Sequence, residues 1–158
     1  MRIEPIDVKH ATREQYAAIN EFGNVIRTER MPDDPPIPLD EEIRRLQNIP
    51  PVVDLRVWVA WDGDRVAADG NVEILRTEEN KHLVEGHINV RPEYRRRGLG
   101  TRLLAHLADA TAREGRTVMI GFTYGTIPAG EAFMRRLGAT VGLETHTNQL
   151  HLRDLTGD

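Results

Sequence analysis

The feature that most restricts how this chain can fold is a change of hydrophobic period between residues 90 and 99. Before it, apolar residues alternate with polar ones; after it, they recur every three or four positions. Val52 to Trp61 is β-branched and aromatic and reads as a strand. Asp62-Gly63-Asp64 is a hairpin signal, Arg65 to Arg76 is the returning strand, and His82 to Val90 follows a polar turn. On that last strand Val84, Gly86, Ile88 and Val90 share one face, and Glu85, His87 and Asn89 share the other. Pro92 ends it. Leu99, Leu103, Leu104, Leu107 and Thr111 then form the stripe of a helix closed by Gly115.

The flanks complete the order. Residues 2–8 read as a first strand, and Thr12 with Gln15 is a capping-box pair ahead of a helix reaching about Arg30. Residues 31–39 hold four prolines and form a loop. Asp40, Glu41 and Glu42 open a second helix, where its dipole favours negative charge. Thr117 to Thr123 predicts a short apolar strand buried on both faces, Pro128 to Leu137 a helix with Gly138 at its end, and Thr140 to Leu152 a last strand. The result is β-α-α-β-β-β-α-β-α-β, one domain over 1–158. The 158 residues suffice for a core without covalent staples. The absence of cysteine excludes disulfides, thiolate metal sites and a cysteine nucleophile.

The seven residues Arg95-Arg96-Arg97-Gly98-Leu99-Gly100-Thr101 join a strand to a helix. A helix N-terminus presents unpartnered N–H groups and the positive end of a dipole. Glycines let the backbone curl into a nest and approach a phosphate closely. Arg91, Arg95, Arg96, Arg97 and Arg102 add charge within a chain whose net charge is -4. The implied ligand carries a pyrophosphate. No Gly-Lys-Ser/Thr follows the glycines, and position 103 is Leu, so neither a Walker loop nor a dinucleotide fingerprint fits. The net acidity argues against nonspecific nucleic-acid binding. The sequence has no signal-peptide or membrane-span run, so a soluble, cytoplasmic protein is expected. His10, His82, His106, His146 and His151 lack metal-ligand spacing, and no metal is expected.

Arg95, Gly98 and Gly100 fill the pattern Arg/Gln-x-x-Gly-x-Gly/Ala, and with the approach Val90-Arg91-Pro92-Glu93-Tyr94 and the element order they resemble the GNAT superfamily of N-acetyltransferases. The resemblance covers nearly the whole chain. It implies an α/β fold of the α+β type, with a mixed, mostly antiparallel sheet of six to seven strands, splayed between strands 4 and 5, and about four helices. It implies acetyl-CoA as co-substrate, held by the backbone of Ile88, Asn89 and Val90 and by the loop Arg95, Arg96, Arg97, Gly98, Leu99, Gly100 and Thr101. The implied reaction is direct transfer of acetyl to an amine, on a small molecule or a peptide N-terminus, with the Val90 N–H donating to the thioester carbonyl. Where many members carry Asn and an acid Tyr on the fourth helix, this chain has Ile127 and Met134. Residues 31–38 and the ending 148–155 are also similar to the first half of tandem acetyltransferases. A homodimer or a second GNAT domain is therefore a partner to expect, and a CoA-binding half without chemistry is the alternative function.

Three residues are candidates for proton transfer. Glu85 and His87 point to one side of their strand, as base or as an ordinary solvated face. Tyr124, after the fifth strand, faces the cleft in this topology, as replacement acid, acceptor contact or plain loop residue. Asp33, Asp34, Asp40, Glu41 and Glu42 either attract a cationic acceptor or form a solvated loop and helix start.

Overall fold

The alternation in the middle of the chain becomes three long antiparallel strands. A computed structural model describes residues 1–146. Among them β1 (Arg2–Ile6), β2 (Val53–Asp62), β3 (Arg65–Leu75), β4 (Leu83–Val90) and β5 (Val118–Ile120) form one sheet in chain order. All neighbours are antiparallel except β4 and β5, which run parallel. Helices α1 (Arg13–Arg30) and α2 (Leu39–Gln47) lie on one face, and α3 (Leu99–Arg113) lies on the other. Helix α4 (Pro128–Arg136) follows β5.

The local signals act as expected. The Gln15 N–H donates to Thr12 Oγ1 at 3.2 Å, and the Thr12 N–H donates to Gln15 Oε1 at 2.9 Å. This closes the capping box of α1. Gly138 has φ +77, and Ala139 donates back to Met134 O at 3.1 Å, which ends α4. The α3 stripe buries Leu99, Leu103 and Leu107 against Ala60, Ala68, Val72 and Ile74. Gly70 permits this approach, because a Cβ there would sit 3.0 Å from Leu107 Cδ1. Phe22 and Ile26 of α1 pack on Val59 and Val66. Val66 reaches that face through a bulge: Ala60 pairs Ala68 while Trp61 pairs Val66, and Ala67 is the extra residue.

Two expectations about the C-terminal third change. The strand expected over 117–123 is only three residues long, and it is not buried on both faces. Val118 and Ile120 are exposed because the α1 layer packs on β2 and β3. Residues 140–146 form no strand, and the rest of the last expected strand lies outside the described residues. The described sheet thus has five of the expected six to seven strands.

The far end of the sheet is tied to the end of α3 by charge. Arg56 and Arg76 both pair with Asp54 and with Glu114; Arg76 Nη1 is 2.6 Å from Glu114 Oε2. Hydrogen bonds from Arg76 and Arg56 hold the Glu114 carboxyl down at about 2, below its ordinary 4.5. A depressed folded-state pKa stabilises the fold above the unfolded value and is lost as pH falls through the folded one. Glu114→Gln is therefore expected to lower the thermal midpoint at pH 7. The deficit should shrink as pH falls from about 4.5 toward about 2, read by thermal denaturation across that range; a pH-independent deficit would show that packing, not charge, is involved.

Candidate active site

The site begins where two strands part. Leu83, Val84 and Glu85 of β4 pair with Val118, Met119 and Ile120 of β5, and the pairing then stops. The fork is filled by two thioethers. A Cβ on Gly86 would lie 2.6 Å from Met119 Sδ, and one on Gly121 would lie 3.0 Å from Met134 Cε. Met134, standing where many GNAT proteins have an acid tyrosine, is thus a wedge packed against Gly121.

Beyond the fork the outer edge of β4 is open. The Arg91 N–H donates to Ala67 O at 3.0 Å beside the Ala68–Val90 pair. By antiparallel alternation Asn89 therefore bonds to β3, while the N–H groups of Ile88 and Val90 point into the gap. The Val90 carbonyl is taken by Arg95 Nε at 3.0 Å.

A 3-10 turn, Pro92–Tyr94, leads into the arginine loop. Two loop residues are left-handed: Arg96 with φ +62 and Gly98 with φ +78. Gly100 is not left-handed. It lies inside α3, where a Cβ would meet the Phe133 ring of α4 at 3.5 Å. The first helical bond is Arg102 N–H to Gly98 O at 3.1 Å, so the N–H groups of Leu99, Gly100 and Thr101 precede it and remain free for an anion.

A cavity of about 490 Å³ runs from the β4 edge to this loop. Ile88, Asn89, Val90, Arg95, Arg96, Gly98, Leu99, Gly100 and Thr101 line it, as does Tyr124. The opposite wall is Phe122, Thr123 and the α4 residues Ala129, Gly130, Ala132, Phe133 and Arg136. Arg97 does not line it; its guanidinium lies over the Tyr94 ring, 5.4 Å from the centroid. Glu85 is exposed on the α1 side of β4, and His87 stacks on Phe122 with centroids 5.5 Å apart. Both lie outside the cavity lining, along the same strand face as Asn89.

The charge around the loop is smaller than its sequence suggests. Arg91 is wholly buried, paired with Glu21 of α1 and donating from Nε to Val66 O at 2.6 Å. Arg95 is paired with Glu29 of α1, Nη1 to Oε1 at 2.7 Å. Arg102 donates to the Met1 carbonyl. Beside the paired Arg95, the cavity near the loop is lined by Arg96 and, from α4, Arg136, neither with a carboxylate partner among the described residues.

A second cavity, about 500 Å³, lies between α1 and α2. It shares two lining residues with the first, Arg30 and Tyr124. The Arg30 guanidinium sits 4.6 Å over the Tyr124 ring. Arg30 also donates to Asn89 Oδ1, and Asn89 Nδ2 donates to Asp69 Oδ1 at 2.7 Å. Burial pushes the Asp69 carboxyl up to about 6, against the opposing effect of the Asn89 hydrogen bond and the Arg30 charge. Sequence reasoning missed Arg30, Asp69 and this cavity. The available signal was an aspartate that follows directly on the apolar run Val66-Ala67-Ala68 within a strand. Asp34 and Glu42, read as loop and helix-start acids, line the cavity, neutralised by Arg27 at 2.8 Å and by Arg45 at 2.7 Å.

Comparison with known proteins bears on this arrangement. Curated protein sequences yield no match. Among solved structures, the protein yncA from Salmonella typhimurium with its cofactor acetyl-CoA is 24% identical, covering 89% of this chain and 81% of that one, with a TM-score of 0.66. The aminoglycoside N-acetyltransferase AAC(6')-Iy in complex with CoA is 16% identical over 94% and 93%, with a TM-score of 0.67. A tandem GNAT protein from the clavulanic acid biosynthesis pathway is 21% identical, covering 87% of this chain and 43% of that one, with a TM-score of 0.71. At these identities the likeness establishes the fold. No helix among the described residues is long and apolar enough to cross a membrane. The model of the acetyltransferase (GNAT) domain matches residues 54–138, the segment that carries the forked strands, the arginine loop and α4, and the chain belongs to the GNAT acetyltransferase family.

Proposed function

We propose that the chain binds acetyl-CoA in the forked cavity and transfers its acetyl group directly to an amine. The observation that carries this is the alignment, along one cavity, of the unpaired Ile88 and Val90 N–H groups with the left-handed loop at Arg96 and Gly98. Donors of that kind, set in a groove, suit an extended ligand with amide and carbonyl groups at one end and phosphates at the other. The residues fit: the loop N–H groups and Arg96 would hold the pyrophosphate, Arg95 would brace the loop on Glu29, and Ile88, Asn89 and Val90 would align the arm. When bound, acetyl-CoA supplies a thioester whose acetyl carbon accepts the amine. The Val90 N–H, pointing into the gap, is assigned the polarisation of the carbonyl oxygen as a preorganised donor. Tyr124 has the one phenol lining the cavity apart from Tyr94, whose hydroxyl is already committed to Asp62 at 2.6 Å. We assign the Tyr124 hydroxyl the proton delivered to the departing thiolate. His87, next along the strand face from Asn89, takes the ammonium proton of the acceptor, and Glu85 lies one step further out. The acceptor is a small-molecule amine or a peptide N-terminus. Relatives of this fold include a protein described as an aminoglycoside N-acetyltransferase, which supports the small-molecule choice.

A second reading, a CoA-binding half without chemistry, rests on Met134 as a wedge and Ile127 in the cavity wall, neither able to move a proton.

Acetyl-CoA is expected to raise the thermal midpoint, because it binds only the folded state. In Arg96→Gly, relief of left-handed strain, about 1–2 kcal/mol, offsets the greater freedom of the unfolded chain. Its stability should stay within about 1 kcal/mol of the parent while acetyl-CoA affinity drops roughly tenfold, the worth of one charge-assisted hydrogen bond. Absence of any midpoint shift at millimolar acetyl-CoA would refute the reading.

Tyr124→Phe should lower kcat for thiol release by about 10²–10⁴-fold while leaving acetyl-CoA affinity alone. His87→Gln should lower kcat for thiol release by about 10²–10⁴-fold, again with acetyl-CoA affinity unchanged. Acetyl-CoA binding with background thiol release over an amine panel would instead establish the second reading.

A further inference from the structure

The partition between the two cavities says more about the acceptor. Arg30 and Tyr124 form it, ring and guanidinium stacked, and both surfaces of the pair are in contact with a cavity. Any molecule in the α1–α2 cavity meets a molecule in the forked cavity at this pair.

The charges of the α1–α2 cavity cancel except here. Its described lining holds Arg27, Arg30 and Arg45 against Asp34 and Glu42. Arg27 pairs with Asp34 at 2.8 Å and also donates to Pro35 O at 3.1 Å. Arg45 makes a two-pronged pair with Glu42 at 2.9 and 2.7 Å. Asn20 and Asn24 are committed to Ile37, whose carbonyl takes both side-chain amides at 3.0 Å. Among the described residues Arg30 has no carboxylate in contact. Its partner is the neutral Asn89 amide oxygen, and the Asp69 carboxylate stands one side chain behind.

That support fixes the guanidinium. Asp69 accepts from Asn89 Nδ2 and so settles which way the amide points, leaving Oδ1 for Arg30. Arg30 Nε is buried without a hydrogen-bond partner. A cation held on one side by a neutral acceptor, stacked on a ring and facing a cavity, lacks the anion that its fork geometry matches. It also sits beside Asn89, one residue from Val90, where the acyl group would lie under the proposed function. An anion on Arg30 would thus stand at the boundary between the α1–α2 cavity and the proposed acetyl site.

We infer that Arg30 binds a carboxylate on the acceptor, and that the substrate class is an amino acid or a related amino carboxylate seated in the α1–α2 cavity. This rests on the acetyltransferase reading above and narrows it. In an α-amino acid the carboxylate and the ammonium share one carbon, so a carboxylate anchored at the partition leaves its amine at the mouth of the acetyl site.

The test pairs each of several L-α-amino acids with its carboxamide, which removes the charge and keeps the amine. Binding to the CoA-saturated protein is measured by calorimetry, and acetylation by thiol release. Wild type should favour the acids by about 10- to 100-fold, the worth of a charge-assisted pair. In Arg30→Gln the ratio should fall to within about twofold of one, and Arg30→Lys should restore part of it. Equal affinity for acid and amide, no binding of either, or a preference that survives Arg30→Gln would overturn the inference. So would a loss of acetyl-CoA affinity in Arg30→Gln as large as the loss for acids, since Arg30 would then serve the co-substrate. Acetyl-CoA affinity of the wild type, measured alone, decides the underlying reading separately: acetyl-CoA bound with no acid preference sinks only the inference about Arg30.

Discussion

The parting of β4 from β5 after Glu85 is the constraint on which the site depends. A strand edge facing a gap carries N–H groups that must find a partner or remain exposed to water. In this protein Ile88 and Val90 are left in that condition inside a groove, and a β4–β5 ladder continued to Val90 would close it. Gly86 and Gly121 let Met119 and Met134 sit in the crotch of the fork, so the strands separate around packed side chains and not around a void. The groove then has a floor of core residues, with Leu99 below it and Phe133 across it.

Helix α1 makes the groove a rigid object. Arg91 and Arg95, at the exit of β4, reach back to Glu21 and Glu29 two turns apart on α1. Arg91 is fully buried and Glu21 half exposed, so their pair ties the interior at the exit of β4 to the outer side of α1. The same geometry sets Arg30, at the end of that helix, over Tyr124. One helix therefore braces the arginine loop, lines the forked cavity on one side and carries a wall of the α1–α2 cavity.

The fourth helix departs from its family in chemistry but keeps its place. Ile127 and Ala132 present methyl groups to the groove, and Met134 fills space at Gly121. Under the proposed function proton traffic is handled elsewhere, by Tyr124, whose hydroxyl-bearing side chain lines both cavities. Its location in the segment between β5 and α4 makes it dependent on the fork as well.

The sequence alone determined the local elements: the capping box at Thr12, the hairpin at Gly63, the α3 stripe, the stop at Gly138 and the loop that begins α3. These depend on neighbours within four or five positions, which any reading of the chain contains. It also placed nine of the ten expected cofactor residues on one groove, because a strand edge and the loop that follows it are continuous in the chain. Tertiary structure decided the rest. Five clustered arginines look alike in sequence, yet Arg91 and Arg95 are neutralised by Glu21 and Glu29, some seventy residues away. Gly98 and Arg96, not Gly100, carry the left-handed turn, since a tight loop between fixed ends chooses its own strained positions. Arg30, Asn89 and Asp69 come from three elements and Tyr124 from the segment between β5 and α4, and their meeting is a consequence of packing. Charge compensation and cavities are sums over distant residues, and no local pattern encodes such a sum.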